Sequence, residues 1–387
     1  MSEYVKMREK KHTYKSKKIS VFDFCLLCLS FIQFVSNITL FADNTGFSVL
    51  QALIETMCYI LLIYIISQKK YTIKALIGIA IVTCLLTYGM YNSRMSAFVF
   101  AWLLIVASKG KKYEHLIKKV YKSMLAALIV AIVCYFCTLN LEIFRKELGS
   151  GLTLSLGQKN QAGLFLAYLY LMRKTWKKQS GKLYKEWLYA IVVFLITRSK
   201  TATAVIFIYP LLKKLFQFAL LRRKKWMKMA IELLVPVLFI FNYFCAKKFL
   251  VSGFVQILDK IMTNRIFLNW FILSKNNLTL WGQNIQLIYT GVHNPVRNTW
   301  NITTTVDNMY ILSILVMGII PTIIFILGYV KLIEVAWKER KVEVIVMAVI
   351  FALYGMSEVK TINIFFNFVY LYINCYHGEN VVQRKKR

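Results

Sequence analysis

The sequence predicts an all-α polytopic membrane protein with about twelve transmembrane helices, organised as a single integral membrane domain over 1–387. Its residues are 58% hydrophobic and only 17% charged, and the mean hydropathy is +0.55, unlike the composition of soluble globular domains. Apolar segments recur from near Ile19 to Cys375, most of them long enough to cross a hydrocarbon core of about 30 Å as a helix. The alternating strands of about ten residues that build membrane barrels are not seen in the sequence.

The predicted spans follow these apolar segments. They cover 19–41, 48–67, 71–90, 95–108, 121–139, 160–172, 183–197, 199–212, 227–246, 307–330, 342–356 and 361–376. Basic clusters occupy every second connection and both ends of the chain, so the positive-inside rule places the basic tails 1–18 and 377–387 in the cytoplasm. A single span over 183–212 would carry the basic run RRKKWMK to the outside, so a tight hairpin that turns near Arg198 is expected instead.

One long segment, 247–306, connects two predicted spans on the outer side. A connection of roughly 60 residues is unusual in a compact domain and is generally functional. Its first half predicts an amphipathic helix, because apolar residues recur there at helical spacing. These residues are Phe254, Ile257, Leu258, Ile261, Met262, Phe267, Trp270 and Phe271. The helix is expected either to lie on the outer leaflet or to pack on the bundle as a lid.

Composition disfavours several other kinds of site. The formal net charge of +33 has to be divided between the two sides of the predicted bilayer before it can suggest a partner. No P-loop or nucleic-acid recognition motif accompanies it. All eight cysteines fall in or beside apolar segments, so a disulfide framework is not expected, and the Cys25/Cys28 pair is interpreted as buried packing. None of the four histidines are spaced i, i+4, so the sequence predicts no metal site.

Cationic residues on the predicted outer side are candidates for an anion site. Arg94 and Arg198 each stand in a minimal turn before small residues and a short apolar span, in SRMSAFVFAW and TRSKTATAVIFIY. Short spans draw their turns below the membrane surface, where a charge must face protein or water. Because a guanidinium suits bidentate contact with phosphate, these two arginines, Arg265 and Lys200 are candidate phosphate ligands. Anchoring at the outer interface is the alternative for the two turn arginines.

Acidic residues and one histidine are candidates for a general base on the same side. Asp307 opens a predicted span, so its carboxylate is expected to act as a helix cap, as a proton acceptor, or as both. Glu358 and His293, the only histidine predicted outside, are the further candidates. Glu55 lies within a predicted span and requires a partner or a proton, which makes it a candidate mate for an inward-facing arginine.

Five short pieces of the chain fall, in one order, on the predicted outer side or at a span edge. They are SRMSAFVFAW, GLTLSLGQKNQAGLFLAYLYL, TRSKTATAVIF, TNRIFLNWFILSKNNLTLWGQN and VDNMYILSILVMGII. In these pieces the chain resembles the Wzy-type polysaccharide polymerases and, more distantly, the O-antigen ligases. Many spans and one long outer loop before the last helices extend the resemblance over most of the chain. The matching positions are Asn160, Gly163, Arg265, Trp270, Gly282, Asn308 and Tyr310.

The resemblance implies a GT-C-like, metal-independent glycosyltransferase without a cofactor, in the bacterial cytoplasmic membrane. Donor and acceptor would both be undecaprenyl-pyrophosphate-linked oligosaccharides held in the membrane lipid. The four outer cations would bind pyrophosphate, and Asp307, His293 or Glu358 would accept the proton of the acceptor hydroxyl. The ligases tend to carry a histidine at the position of Asp307, so the resemblance favours the polymerase branch. Whether a chain-length regulator or a flippase binds the protein is left open.

Three other functions remain compatible with parts of the sequence. A flippase for the same lipid-linked unit would also need buried arginines and about twelve spans, but it needs no long structured outer segment and usually has two similar halves. A ligase would move the glycan to a different acceptor. A purely structural membrane subunit is disfavoured by the arginine pattern.

Overall fold

The protein is a helical bundle with six helices that are long and apolar enough to cross a membrane, counted over the part of the chain that the structure describes. A computed structural model describes residues 20–42, 44–139, 147, 150–177, 183–222, 224–286, 288–305 and 307–375. The two predicted basic tails, 1–18 and 377–387, lie outside the described residues.

The helices are numbered in chain order. The first half contains α1 (Val21–Val35), α2 (Thr39–Ala42), α3 (Thr45–Ser67), α4 (Ile73–Ser93), α5 (Ala97–Ala107), α6 (Tyr113–Thr138), α7 (Lys159–Trp176) and α8 (Leu183–Thr197). The second half contains α9 (Lys200–Leu221), α10 (Lys225–Lys248), α11 (Gly253–Ile261), α12 (Arg265–Lys275), α13 (Met309–Leu312), α14 (Ile319–Lys338) and α15 (Val342–Tyr354). An antiparallel pair of strands, β1 (Ile288–Asn294) and β2 (Thr299–Thr305), lies between α12 and α13.

Large apolar side chains cover the outside of the bundle, as expected of a protein whose solvent is lipid. Helix α10 carries them at steps of three and four residues, which keeps them on one face. They are Trp226, Met229, Leu233, Val237, Ile240 and Phe244, all exposed. Ile231, Val235 and Leu238 on the other face are buried in the core.

Helices α8 and α9 form the hairpin that the charge pattern predicts. Their rings stack across the hairpin, since Trp187 and Phe207 lie 4.8 Å apart at an interplanar angle of 3°. The chain reverses at Arg198, whose φ of 53° lies in the left-handed region. Helix α9 runs to Leu221 rather than ending at 212. Lys213 therefore lies within the helix, where it pairs with Glu343 of α15 at 3.1 Å.

The span predicted over 307–330 is broken in the structure. A short α-helix and a π-helical turn, Ser313–Met317, end at Gly318, and α14 begins beyond it. Gly318 has φ 89° and ψ 172°, a conformation available essentially to glycine alone. Residues of the 247–306 segment satisfy the backbone at the break: Ile319 N donates to Thr279 O (3.0 Å) and Ile320 N to Leu280 O (3.1 Å). Part of the 247–306 segment therefore inserts into the bundle.

The last predicted span, 361–376, is not an α-helix. It consists of 3₁₀-helical turns over Val359–Ile362 and Phe368–Asn374, joined by turns. Because a 3₁₀-helix rises about 2.0 Å per residue against 1.5 Å in an α-helix, this short segment extends further than an α-helix of the same length. Asn363 contacts Gln33 at one end, while Asn374 donates to Ile105 O at the other (3.3 Å).

The amphipathic region forms two helices rather than one. Thr263 and Asn264, with φ of 54° and 67°, break it between α11 and α12. Helix α12 packs on α10 through a small separate core, in which Phe249 lies 5.7 Å from Phe267 and 5.7 Å from Trp270. The β-hairpin is fixed to this unit because Arg297 pairs with the buried Asp259 at 3.3 Å.

Helix α11 presents an apolar face that the bundle leaves uncovered. Phe254, Ile257 and Ile261 are 69%, 58% and 73% exposed and lie within one narrow arc of the helix, whereas Val255 and Asp259 face the protein. This arrangement favours contact with the membrane surface over a lid packed on the bundle.

A photocrosslinker on that face is expected to report lipid contact. With p-benzoylphenylalanine in place of Phe254, irradiation in native membranes should produce phospholipid adducts, because the apolar arc lies among acyl chains. The same substitution at the exposed, polar Lys260 of α11 should give few. Mass spectrometry of the purified protein measures the adducts, and equal labelling at both positions would exclude an interfacial orientation.

Candidate functional site

The turn between α15 and the first 3₁₀-helix contains a buried carboxylate. Glu358 is only 9% exposed, and its Oε1 accepts a hydrogen bond from Lys360 N (3.3 Å). Asp307 and Arg265 both lie within electrostatic range of Glu358. The structure thus brings together three predicted site residues that are separated by up to 93 positions in the sequence.

Lys360 is the centre of a polar network at this end of the bundle. Its Nζ donates to Asn37 Oδ1 and to Gln161 Oε1 (2.7 Å), and its charge acts on Glu358 and Asp307. An ammonium withdrawn from solvent is stable only when partners replace its water; here two amide oxygens do so, and the charges of two nearby carboxylates favour the protonated form. The cluster Glu358, Asp307, Arg265 and Lys360 is hereafter the acid–base cluster.

Burial changes the proton affinity of two members of this cluster. Loss of solvent raises the pKa of Glu358 to about 7; the negative charge of Asp307 adds to that effect, and Lys360 and Arg265 oppose it. Loss of solvent lowers the pKa of Lys360 to about 8, against the opposing effect of the two carboxylates. A carboxylate whose pKa is near neutrality is suited to accept a proton and release it again.

A cavity of about 350 Å³ opens beside Lys360. Two cations, Arg94 and Lys360, and two amides, Gln33 and Asn363, line it among apolar residues. Asn363 Nδ2 donates to Gln33 Oε1 (2.8 Å), which fixes both amides in place. Paired cations with amide donors are the groups that recognise phosphate or pyrophosphate.

An apolar groove of about 320 Å³ continues from this cavity between α4, α5 and α14. Ile362 and Ile364 line both spaces, so the two adjoin. The rest of the groove is formed by apolar side chains, with Lys331 as its only charged lining residue among those described. A ligand with an anionic head and a long hydrocarbon chain matches this combination.

Arg94 and Arg198 end their helices in the same way. Each has positive φ, 57° and 53°, and each donates its backbone N–H to the carbonyl four residues earlier, on Met90 (2.8 Å) and Phe194 (2.7 Å). Glycine is usual at this left-handed position, and an arginine there costs roughly 1 kcal/mol.

The two arginines nevertheless occupy different surroundings. Arg94 lines the cavity, whereas the Arg198 guanidinium lies 5.7 Å from the centre of the Phe194 ring on the exposed α8–α9 turn. Lys200 is exposed at the start of α9. The next residue, Thr201, is within interaction range of Tyr354, as are Glu358 and Arg265, so this turn borders the acid–base cluster.

Two of the predicted site residues stabilise the fold. Asn308, not Asp307, caps α13: its Oδ1 accepts from Tyr310 N (2.9 Å) and Ile311 N (3.1 Å). The Asn308 amide also donates to Asn242 Oδ1 (2.7 Å). The Tyr310 side chain is fully buried, and its hydroxyl donates to Ala352 O (2.5 Å).

The remaining candidates have local partners. Glu55 accepts hydrogen bonds from Gln33 Nε2 (2.6 Å) and Gln51 Nε2 (2.7 Å), so amides rather than the expected arginine hold it. His293 lies on β1, where its Nε2 is 3.0 Å from Asn298 Oδ1. Asn160 is half-buried in the first turn of α7, beside the Gln161 that contacts Lys360.

Sequence reasoning missed Lys360 and its amide partners Gln33, Asn37 and Gln161. Lysines are abundant in this chain, and nothing in the spacing of SEVK distinguishes Lys360 from a residue at the membrane surface. The available signal is polar residues within apolar segments, such as Gln33 in FIQFVSN, because an amide at that depth requires a partner.

No protein-family model, curated protein or solved structure matches the chain. Its function must therefore be inferred from the chemistry of the acid–base cluster, the cationic cavity and the apolar groove.

Proposed function

We propose that the protein polymerises undecaprenyl-pyrophosphate-linked oligosaccharide repeat units on the outer face of the bacterial cytoplasmic membrane. In this proposal the GT-C-like chain crosses the bilayer twelve times, both termini are cytoplasmic, and the 247–306 segment lies outside. The observation that carries the proposal is the position of the cationic cavity directly beside both a buried carboxylate and an apolar groove.

The donor lipid matches the two adjoining spaces. Its pyrophosphate would bind between Arg94 and Lys360, where charge-assisted hydrogen bonds replace water, and its isoprenoid chain would leave through the groove lined by Ile362 and Ile364. Arg198 and Lys200, on the neighbouring turn, are positioned to attract the second, incoming lipid-linked unit.

The proposed reaction is a direct glycosyl transfer. The acceptor hydroxyl oxygen forms a bond to the anomeric carbon of the growing glycan as the bond from that carbon to the donor pyrophosphate oxygen breaks. Glu358 accepts the hydroxyl proton; the charge of Asp307 raises its proton affinity, and the charge of Arg265 opposes that effect. Arg94 and Lys360 stabilise the negative charge that develops on the departing lipid pyrophosphate.

Chain-length analysis of surface polysaccharide tests the proposal. Deleting the protein from its native host should leave single repeat units on the lipid carrier and remove long chains. If all surface material disappears while units accumulate inside, the protein is a flippase. If long chains persist on the lipid carrier, it is a ligase.

Glycine substitutions separate the phosphate role of Arg94 from a structural one. Because glycine relieves the left-handed strain, Arg94→Gly should retain or slightly raise thermal stability in detergent, by about 1 kcal/mol at most. The same variant should shorten chains to single or few units. The control is Arg222→Gly, which removes an exposed arginine beside Phe218 at the C-terminal end of α9. This variant should retain normal chain length. Normal chains with Arg94→Gly would exclude Arg94 from the site.

A further inference from the structure

A second cavity, of about 720 Å³, lies at the opposite end of the bundle, where α9 ends, α10 begins and α14 ends. Four basic residues line it, Lys225, Lys228, Lys338 and Arg340. Two acidic residues also line it: Glu232 pairs with Lys228 at 2.9 Å, and Glu334 pairs with Lys331 at 2.8 Å. Among the described residues, no carboxylate lies within 4 Å of the charged groups of Lys225, Lys338 or Arg340.

The backbone adds to this positive potential. The residue before α10, Lys224, makes no side-chain cap. The first turn of this 24-residue helix therefore lies at the cavity without a cap, and its backbone amides form the positive end of the helix dipole. Arg340 is held in the left-handed conformation, φ 56°, by two closing hydrogen bonds, Arg340 N to Trp337 O (3.1 Å) and Lys341 N to Ala336 O (2.9 Å). This turn normally carries glycine, yet here it carries a guanidinium that lines the cavity.

Apolar surface continues from the cavity along the outside of the protein. Met229 lines the cavity and is 58% exposed, and it belongs to the apolar stripe of α10 that continues with Leu233 and Val237. Trp337 lines the same space, and tryptophan is enriched where a membrane protein meets the headgroup region. The site thus combines a surplus of basic over acidic side chains with a path for acyl chains, which favours a lipid over a soluble anion.

We propose that this cavity binds the phosphate headgroup of an anionic phospholipid of the surrounding leaflet, with the acyl chains along the α10 stripe. Basic pockets between transmembrane helices at the membrane surface are suited to such lipids because their basic side chains attract the anionic headgroup. The site is distinct from the acid–base cluster and would operate whether or not the protein transfers sugars.

Native mass spectrometry of the full-length protein in detergent tests this site. Phosphatidylglycerol should remain bound to the wild-type protein at concentrations where phosphatidylcholine and the lipid-free headgroup glycerophosphate do not. Lys338→Gln combined with Arg340→Gln should weaken phosphatidylglycerol binding about tenfold. The control, Lys70→Gln with Lys74→Gln, removes two exposed lysines from the same end outside the cavity and should change binding less than twofold.

Three results would overturn the proposal. Equal losses in the two double variants would mean that bulk charge, not the cavity, attracts the lipid. Equal binding of phosphatidylcholine would remove the role of the cations. Binding of glycerophosphate as tightly as phosphatidylglycerol would identify a soluble phosphate site instead of a lipid site.

Discussion

Glu358→Gln is expected to lower the rate of chain extension by about two to four orders of magnitude, because the glutamine side chain has the same shape but cannot accept the hydroxyl proton. The amide should still accept the bond from Lys360 N, so the protein should insert and purify normally. Extension of purified lipid-linked repeat units in detergent, followed by gel electrophoresis, measures the effect.

Two further variants show whether a lower rate of extension comes from the loss of the general base. Asp307→Asn should cause a smaller loss, because Asp307 acts on Glu358 through its charge. Glu114→Gln, which removes a half-exposed carboxylate at the start of α6, far from the cluster, should leave the rate unchanged. If Asp307→Asn abolished extension and Glu358→Gln did not, Asp307 would be the base and the assignment of roles would be reversed.

Glu358 and Lys360 together predict the pH dependence of the reaction. Glu358 must be deprotonated to act as a base, so the rate should rise as pH increases through about 7. Lys360 must be protonated to hold the pyrophosphate, so the rate should fall as pH increases through about 8. The rate should therefore have a narrow pH optimum. Because Glu358 and Lys360 interact, its two limbs report the titration of the pair and not of either residue alone. The acid limb should disappear from the residual activity of Glu358→Gln.

Gly282→Ala is expected to destabilise the protein by roughly 3 kcal/mol, the combined cost of a left-handed alanine and an overpacked contact. A Cβ at Gly282 would lie 2.2 Å from Val316 O, and Gly282 has φ 88°. Nor can the backbone move away easily, because the adjacent Gln283 N donates to the same carbonyl (3.0 Å). Removing this contact would expose the backbone at the Gly318 break.

The midpoint of thermal inactivation, followed by size-exclusion chromatography after heating, measures that loss of stability. Gly78→Ala is the matched control: Gly78 lies in α4 with no atom within 4 Å of an added Cβ, so alanine should be neutral or stabilise by up to about 1 kcal/mol. Equal stability of the Gly282 and Gly78 variants would mean that the loop does not close the broken helix.

The sequence alone was sufficient for features that depend on local composition. Apolar segments predict membrane helices because lipid requires every backbone group to be paired within its own segment. The alternation of basic clusters predicts the turn at Arg198 by a different rule, since one continuous span would carry RRKKWMK to the side opposite the other basic clusters. Both features can be recognised from the order of residue types along the chain, without knowledge of contacts between distant residues.

Other features required the tertiary structure because they depend on contacts between distant residues. The helix breaks at Gly318 because Thr279 and Leu280 supply the carbonyls that a continuous helix would have supplied. The segment that begins at Lys360 forms 3₁₀-helical turns instead of an α-helix, and Lys360 is bound there by Asn37 and Gln161, which lie far away in the sequence. No local pattern encodes either choice.

The candidate site divides in the same way. Arg94, Arg265, Asp307 and Glu358 are recognisable one at a time, because charge at the edge of an apolar segment is costly and must be kept for a purpose. Their grouping around Lys360 depends on how the bundle packs. So does the identity of the residue that caps α13, which is Asn308 and not the predicted Asp307. Charge and hydropathy are properties of each residue and are visible in the sequence, whereas burial and partnership are properties of the folded chain.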